Sequence, residues 1–166
     1  NLCACGGPLL ARYDLEAASA SLTKSALRDR DANLWRYREV LPVPLDLYPT
    51  TLGEGYTPLL EARIGRARGF SSLFIKDESG NPTGSFKARG MAVAVSMAAR
   101  GGARALSLPS AGNAASAAAA YGARAGIPVF VFMPADTPQL FVTECQALGA
   151  RVSLVDGVIT DAGRVM

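Results

Sequence analysis

The chain carries three lysines, Lys24, Lys76 and Lys87, and the setting of the last is the most suggestive chemistry in it. Lys87 closes the run Asn81-Pro82-Thr83-Gly84-Ser85-Phe86-Lys87, and a helix is expected over residues 86–100, with Ser85 marking its start. The lysine therefore falls in a first helical turn. There the positive end of the helix dipole opposes a cation by about 0.3–1 kcal/mol. The same field, added to burial, favours the neutral amine, which is the form that attacks an aldehyde. Lys87 is a candidate Schiff-base former. On these grounds alone the other reading, a surface lysine that the helix tolerates, stays open.

A second loop, Ser110-Ala111-Gly112-Asn113-Ala114, enters a helix expected over residues 113–125 with eight alanines between Asn113 and Gly126. Such small residues leave backbone N–H groups uncovered for a carboxylate or a phosphate. Asn113 has two readings, a helix N-cap with no further duty or a side chain offered to a ligand.

The chain contains no histidine, which excludes Ser-His-Asp hydrolysis, Cys-His nucleophiles and any imidazole acid or base supplied by its own residues. Its chemistry has to come from a cofactor or from the lysine. Three cysteines, an odd number, argue against a disulfide framework. Cys3-Ala4-Cys5-Gly6-Gly7 looks like half of a zinc ribbon, but a tetrahedral site needs four ligands and only Cys145 is left to add, so no metal is expected. Cys145 reads as a small core thiol.

The formal charge of +3 is too small to point to nucleic acid. The stretch from Arg28 to Glu39 interleaves acids with arginines and reads as a solvated helix face with Trp35 packed inward. No apolar run approaches the ~20 residues of a membrane span, and the start lacks the order of a secretory signal. The protein is read as cytoplasmic.

The elements that must position these loops follow from periodicity. At 166 residues, 49% of them hydrophobic, the chain can bury a sizeable core. Its first part is irregular, with a hairpin-like start, a strand over residues 9–13, a helical segment over residues 22–41 and proline-broken chain after it. From residue 72 the pattern is regular. Strands are expected at 72–76, 105–108, 129–133 and 151–155, and helices at 86–100, 113–125 and 138–148. The helices end at Gly101-Gly102, Gly126 and Gly149, and the last starts from Thr137 with Pro138 at the first helical position. The fold class is α/β, a parallel sheet with strand-helix alternation, preceded by an irregular N-terminal extension. In such a sheet the loops 77–84, 109–112 and 134–137 open on one edge, where ligands bind.

Asn81 to Lys87, with Lys76-Asp77-Glu78 before it, resembles the pyridoxal-phosphate lysine motif of the tryptophan-synthase-β-like, fold type II enzymes. Ser110 to Asn113 is similar to their asparagine loop. With Cys5 to Leu9, Tyr13-Asp14, Gly53 to Leu59 and Asp156 to Ala162, the pattern is most similar to the threonine synthase family, over nearly the whole chain. The resemblance implies pyridoxal 5'-phosphate as cofactor and conversion of O-phosphohomoserine and water to threonine and phosphate. It implies that Lys87 holds the cofactor as a Schiff base and then moves protons at Cα and Cβ. It further implies that Asn113 bonds the cofactor's phenolic oxygen, that Phe86 packs near its ring, and that Ser110, Ala111, Gly112 and Ala114 receive the substrate carboxylate. A homodimer is implied too.

The chain departs from the family in having Ala88 where threonine synthases often carry Asp, and its Phe-Lys-x-Arg-Gly run also resembles threonine and serine dehydratases. A different class of reading is a non-catalytic module that binds anions through residues 110–114. The expected division is an extension over 1–58 and an incomplete α/β lobe over 59–166 of a longer enzyme. The phosphate-cradling loop and the pyridine-nitrogen partner are expected downstream, and partner cysteines upstream of Asn1. By itself the chain is expected to bind cofactor weakly or not at all and to turn nothing over.

Overall fold

Alternating apolar residues in short runs, each followed by a glycine-ended helix, build the sheet. In the computed structural model, which describes residues 3–166, strands β3 (Leu106–Pro109), β4 (Val129–Pro134) and β5 (Arg151–Val155) form a three-stranded parallel sheet in that order. Leu106 lies beside Val129 and Val131 beside Val152. Helices α3 (Lys87–Arg100), α4 (Asn113–Ala125), α5 (Gln139–Ala147) and α6 (Ile159–Val165) complete the lobe. Strand-helix alternation with parallel pairing is thus borne out. The first two residues of the expected extension lie outside the described residues.

Val129, Val131 and Met133 are buried on β4 against Ala115, Ala118 and Ala119 of α4 and Val142 and Cys145 of α5. Each such aliphatic side chain contributes about 1.5–3 kcal/mol by leaving water. The alanine stripe lets α4 come close. At Gly122 a Cβ would lie 2.1 Å from Val129 Cγ2, so glycine is the residue that fits there. A second core joins Leu34, Trp35 and Leu47 of the first part of the chain to Ala88, Ala92 and Val95 of α3 and Tyr121 of α4. Trp35 is packed inward, as expected.

Gly126 (φ +69) and Gly149 (φ +85) take the left-handed conformation just beyond α4 and α5, where a Cβ would be strained.

Four expectations are corrected. Residues 9–13 form no strand: Leu9 and Leu10 are exposed, and no strand among the described residues pairs with them. Residues 22–41 are not one helix. A short α1 (Leu15–Ser21) precedes two 3-10 turns, Ala26–Asp29 and Leu34–Val40. Asn33 starts the second of these by accepting from Trp35 N, and Arg30 is drawn onto Glu39 across the break. The strand expected at 72–76 is β2 (Phe74–Lys76), and it lies outside the parallel sheet. It pairs antiparallel with β1 (Leu59–Glu61), the two being joined through α2 (Ile64–Ala67). Finally, Pro138 has ψ 130 and stands outside α5, while the Thr137 hydroxyl is buried without a partner and caps nothing.

Candidate active site

The loop before Lys87 is built from side-chain to backbone hydrogen bonds, as its run of short polar residues favours. Asp77 Oδ1 accepts from Ser79 N (3.0 Å) and Ser79 Oγ (2.6 Å), starting the turn Glu78–Gly80. Buried Asn81 follows. Its Nδ2 donates to the Glu78 carbonyl (2.9 Å) and to Glu78 Oε2 (2.8 Å). A second turn, Pro82–Gly84, then reverses the chain with Thr83 at φ +62, a strained value for a β-branched residue.

Phe86 stands at the N-cap of α3 with no side-chain cap, and Ser85, expected to mark the start, lies one residue before it, extended, with its Oγ accepting from Lys87 N at 3.3 Å. Lys87 is therefore in the first turn of α3, as read. It is exposed, so the burial invoked for a neutral amine is not in place. Its Nζ sits 4.7 Å from the centre of the half-exposed Phe86 ring, and it forms no ion pair among the described residues. Ala88 is wholly buried beside Tyr121 and Val95, a position where a methyl group fits and an Asp would carry its charge into an apolar cluster.

The second loop leaves β3 at Pro109. Asn113 does not cap α4, which corrects one of its two readings. It is the first residue inside the helix, and Ser110 Oγ instead accepts from Ala115 N at 3.1 Å. The exposed Asn113 amide makes no hydrogen bond among the described residues, and neither do the N–H groups of Gly112 and Ala114. The Ser110 hydroxyl, used so far as an acceptor, keeps its proton free to donate. Phe141 of α5 backs Gly112, its ring 3.7 Å from where a Cβ would stand.

The turn Pro82–Gly84 packs on α4, and α3 packs along α4. Lys87 and Asn113 thus stand at the starts of neighbouring helices. An amine, a free amide, a hydroxyl, unpaired N–H groups and the buried, partnerless Thr83 Oγ1 are a donor set suited to an anionic ligand bearing an aldehyde. The residues present fit pyridoxal phosphate.

Sequence reasoning gave no role to the charged groups behind the site. Arg89 donates from Nε to Glu78 Oε2 (2.6 Å) and from Nη2 to Oε1 (2.8 Å). With Thr57 and Asn81 as further donors, this holds the Glu78 carboxyl down to about 2. Glu54 is wholly buried, and the Tyr121 hydroxyl that it accepts from is pushed above its ordinary value, first by burial and then by that hydrogen bond. The available signal was an acid between two glycines, Gly53-Glu54-Gly55, placed before an apolar run. At the other end of the chain Cys3 and Cys5 are exposed. No group of three or more potential metal ligands occurs among the described residues.

Residues 50–166 match the family model described as pyridoxal-phosphate dependent enzyme. A threonine synthase of Methanocaldococcus jannaschii is 38% identical over 162 residues, which are 96% of this chain and 40% of that protein. Among solved structures, a pyridoxal 5'-phosphate-dependent aspartate racemase is 31% identical with TM-score 0.61, over 66% of this chain and 35% of that one. The processed form of threonine deaminase isoform 2 from Solanum lycopersicum is 29% identical with TM-score 0.56, over 64% and 30%. The chain therefore spans 40% of the curated relative's length.

Proposed function

The chain belongs to the pyridoxal-phosphate dependent enzyme family, and on that premise we propose that its protein acts as a threonine synthase, converting O-phosphohomoserine and water to L-threonine and phosphate. The observation that carries this reading is the placement of Lys87 and Asn113 at the starts of two packed helices. Choice of this substrate is supported by the 38% identity to a threonine synthase over nearly the whole chain.

Pyridoxal phosphate, when bound, supplies the electron sink for carbanion chemistry at the amino acid. Lys87 would hold its aldehyde carbon through the side-chain amine. That amine would take protons from the substrate Cα and Cβ and return protons at Cγ and Cα, while phosphate leaves Cγ and water adds its hydroxyl at Cβ. Asn113 would donate its unengaged amide to the phenolic oxygen, and Phe86 would pack near the ring. The substrate carboxylate is received by the Ser110 O–H and by the N–H groups of Ala111, Gly112 and Ala114, where the α4 dipole favours an anion. By the same resemblance the protein works as a homodimer, which sedimentation of the full-length protein checks.

The decisive experiment loads the full-length protein with pyridoxal phosphate, reduces it with borohydride and maps the labelled peptide. A pyridoxyl group on Lys87, with phosphate and threonine released from O-phosphohomoserine, is the expected result. The likeness to threonine deaminase favours a second reading, a threonine or serine dehydratase. Release of 2-oxobutanoate from threonine, without phosphate release from phosphohomoserine, would select it. Label absent from Lys87 would leave the anion-binding module.

A further inference from the structure

The segment from Glu54 to Thr57 touches the loop before Lys87 and the body of α4. The buried Glu54 carboxylate accepts from Tyr121 OH (2.6 Å) on α4, from Trp35 Nε1 (2.6 Å), and from Leu52 N (3.0 Å). Tyr121 lies further along the helix that Asn113 begins. The adjoining Gly55 donates its N–H to Asn81 Oδ1 at 2.9 Å, and Thr57 Oγ1 donates to Glu78 Oε1 at 2.6 Å. Both acceptors belong to the loop that delivers Lys87.

The segment has no room to drift. Leu34 N donates to the Glu54 carbonyl at 2.7 Å. A Cβ at Gly55 would stand 2.7 Å from Leu34 N, on a residue whose φ is +93. A carboxylate withdrawn from water is tolerated only when its lone pairs are matched by donors, and here those donors come from three separate parts of the chain. An apolar side chain would fill the same space without fixing a direction.

We infer that Glu54 to Thr57 is a two-armed clamp that sets the spacing between the Lys87 loop and the start of α4, with Tyr121 and Asn81 as positioning residues for the cofactor. One arm, Glu54 to Tyr121, holds α4 and so Asn113. The other, Gly55 to Asn81, holds the turn that leads into Lys87. The inference rests on the reading of Lys87 and Asn113 as cofactor-binding residues.

Tyr121→Phe removes one oxygen and leaves the packing of the ring, while Asn81→Ala removes the acceptor of the Gly55 N–H. Each is made in the full-length protein. Three readouts are taken: the dissociation constant of pyridoxal phosphate from the apo protein, the pH midpoint of the cofactor's absorbance, and the melting temperature of the apo protein. Misplacement by a fraction of an ångström is expected to weaken cofactor binding about tenfold or more and to move the absorbance midpoint in both variants. A lowered melting temperature with wild-type cofactor affinity and midpoint would overturn the clamp, because that is what a merely structural role produces. If Asn81→Ala does not fold, Tyr121→Phe decides alone. Failure of borohydride to label Lys87 in the wild-type protein overturns the underlying reading and the clamp with it. Labelled wild type with unaltered variants overturns the clamp only.

Discussion

The Arg89 guanidinium lies fork-to-fork across the Glu78 carboxylate, Nε to Oε2 at 2.6 Å and Nη2 to Oε1 at 2.8 Å, and ties the first turn of α3 to the start of the loop that carries Lys87. Bidentate pairs of this kind are stronger than single contacts and fix orientation. The pair has a pH signature. Glu78 falls from 4.5 to about 2 in the folded chain, so its contribution to stability is fully present above pH 4.5 and is lost as pH falls through about 2. The side chain is 26% exposed, and solvent screening leaves about 1–2 kcal/mol of effect. Urea midpoints measured from pH 5 down to pH 2 should fall less steeply in Glu78→Gln than in wild type. A residual slope remains from Glu39, which Arg30 also holds down to about 2. Equal slopes in the two proteins would refute the assignment.

Lys87 is exposed and forms no ion pair among the described residues, so its charge meets the fold through the Phe86 ring at 4.7 Å, a contact worth about 0.5–1 kcal/mol at an exposed site. Lys87→Ala is expected to leave the urea midpoint within about 0.5 kcal/mol of wild type. Removing a positive charge from a first helical turn gains about 0.3–1 kcal/mol, and losing the Phe86 contact costs about 0.5–1 kcal/mol, so the two nearly cancel. The same substitution should abolish borohydride-stable labelling by pyridoxal phosphate and all turnover of the full-length protein. Retained labelling at another lysine would remove Lys87 from the chemistry.

How far the sequence could be read depended on where each structure gets its stability. The parallel sheet was legible because Val129, Val131 and Met133 alternate inward and Gly126 and Gly149 end the helices, signals carried by neighbouring residues. The direction of β2 was not legible, since Phe74 to Lys76 looks the same whether its partner is parallel or antiparallel. Nor was the first part of the chain, where bonds between distant residues, Arg30 with Glu39 and Trp35 with Glu54, replace periodicity. In the site, Lys87 and the 110–114 loop were visible by motif. That α4 starts from Gly112, with Asn113 already inside the helix and its amide unengaged, was not, because asparagine is itself a good cap and only geometry chooses between the two.

Gly122 sits where α4 crosses β4, and its replacement sets two effects against each other. Alanine gains about 1 kcal/mol of helix propensity over glycine. Its Cβ would meet Val129 Cγ2 at 2.1 Å and the Ile127 carbonyl at 3.1 Å. Val129 is stiff and buried, and the carbonyl is backbone, so neither gives way cheaply; overpacking of this kind costs about 1–3 kcal/mol. Gly122→Ala should therefore lower the urea midpoint, and adding Val129→Ala should restore part of what was lost. A stabilised single variant would show that α4 can move off the sheet.

Ser110→Ala and Asn113→Ala should separate fold from function at adjacent positions of one loop. The Ser110 hydroxyl oxygen accepts from Ala115 N, whose N–H also reaches the Gly112 carbonyl at 2.8 Å, so its removal loses one arm of a shared bond and should lower stability by about 0.5–1 kcal/mol. If its free proton also meets the substrate carboxylate, KM rises as well while cofactor affinity holds. Asn113 makes no hydrogen bond among the described residues, and its replacement should leave stability within about 0.5 kcal/mol of wild type. Its cost falls on the cofactor instead. A hydrogen bond to a charged oxygen is worth about 1.5–3 kcal/mol, and each 1.4 kcal/mol is tenfold in affinity. Titration of the full-length apo protein with pyridoxal phosphate should then show binding weaker by about ten- to a hundredfold in Asn113→Ala. Unchanged affinity in that variant, together with a loss of stability, would assign the asparagine to the fold and leave Ser110 as the only side chain of the loop offered to a ligand.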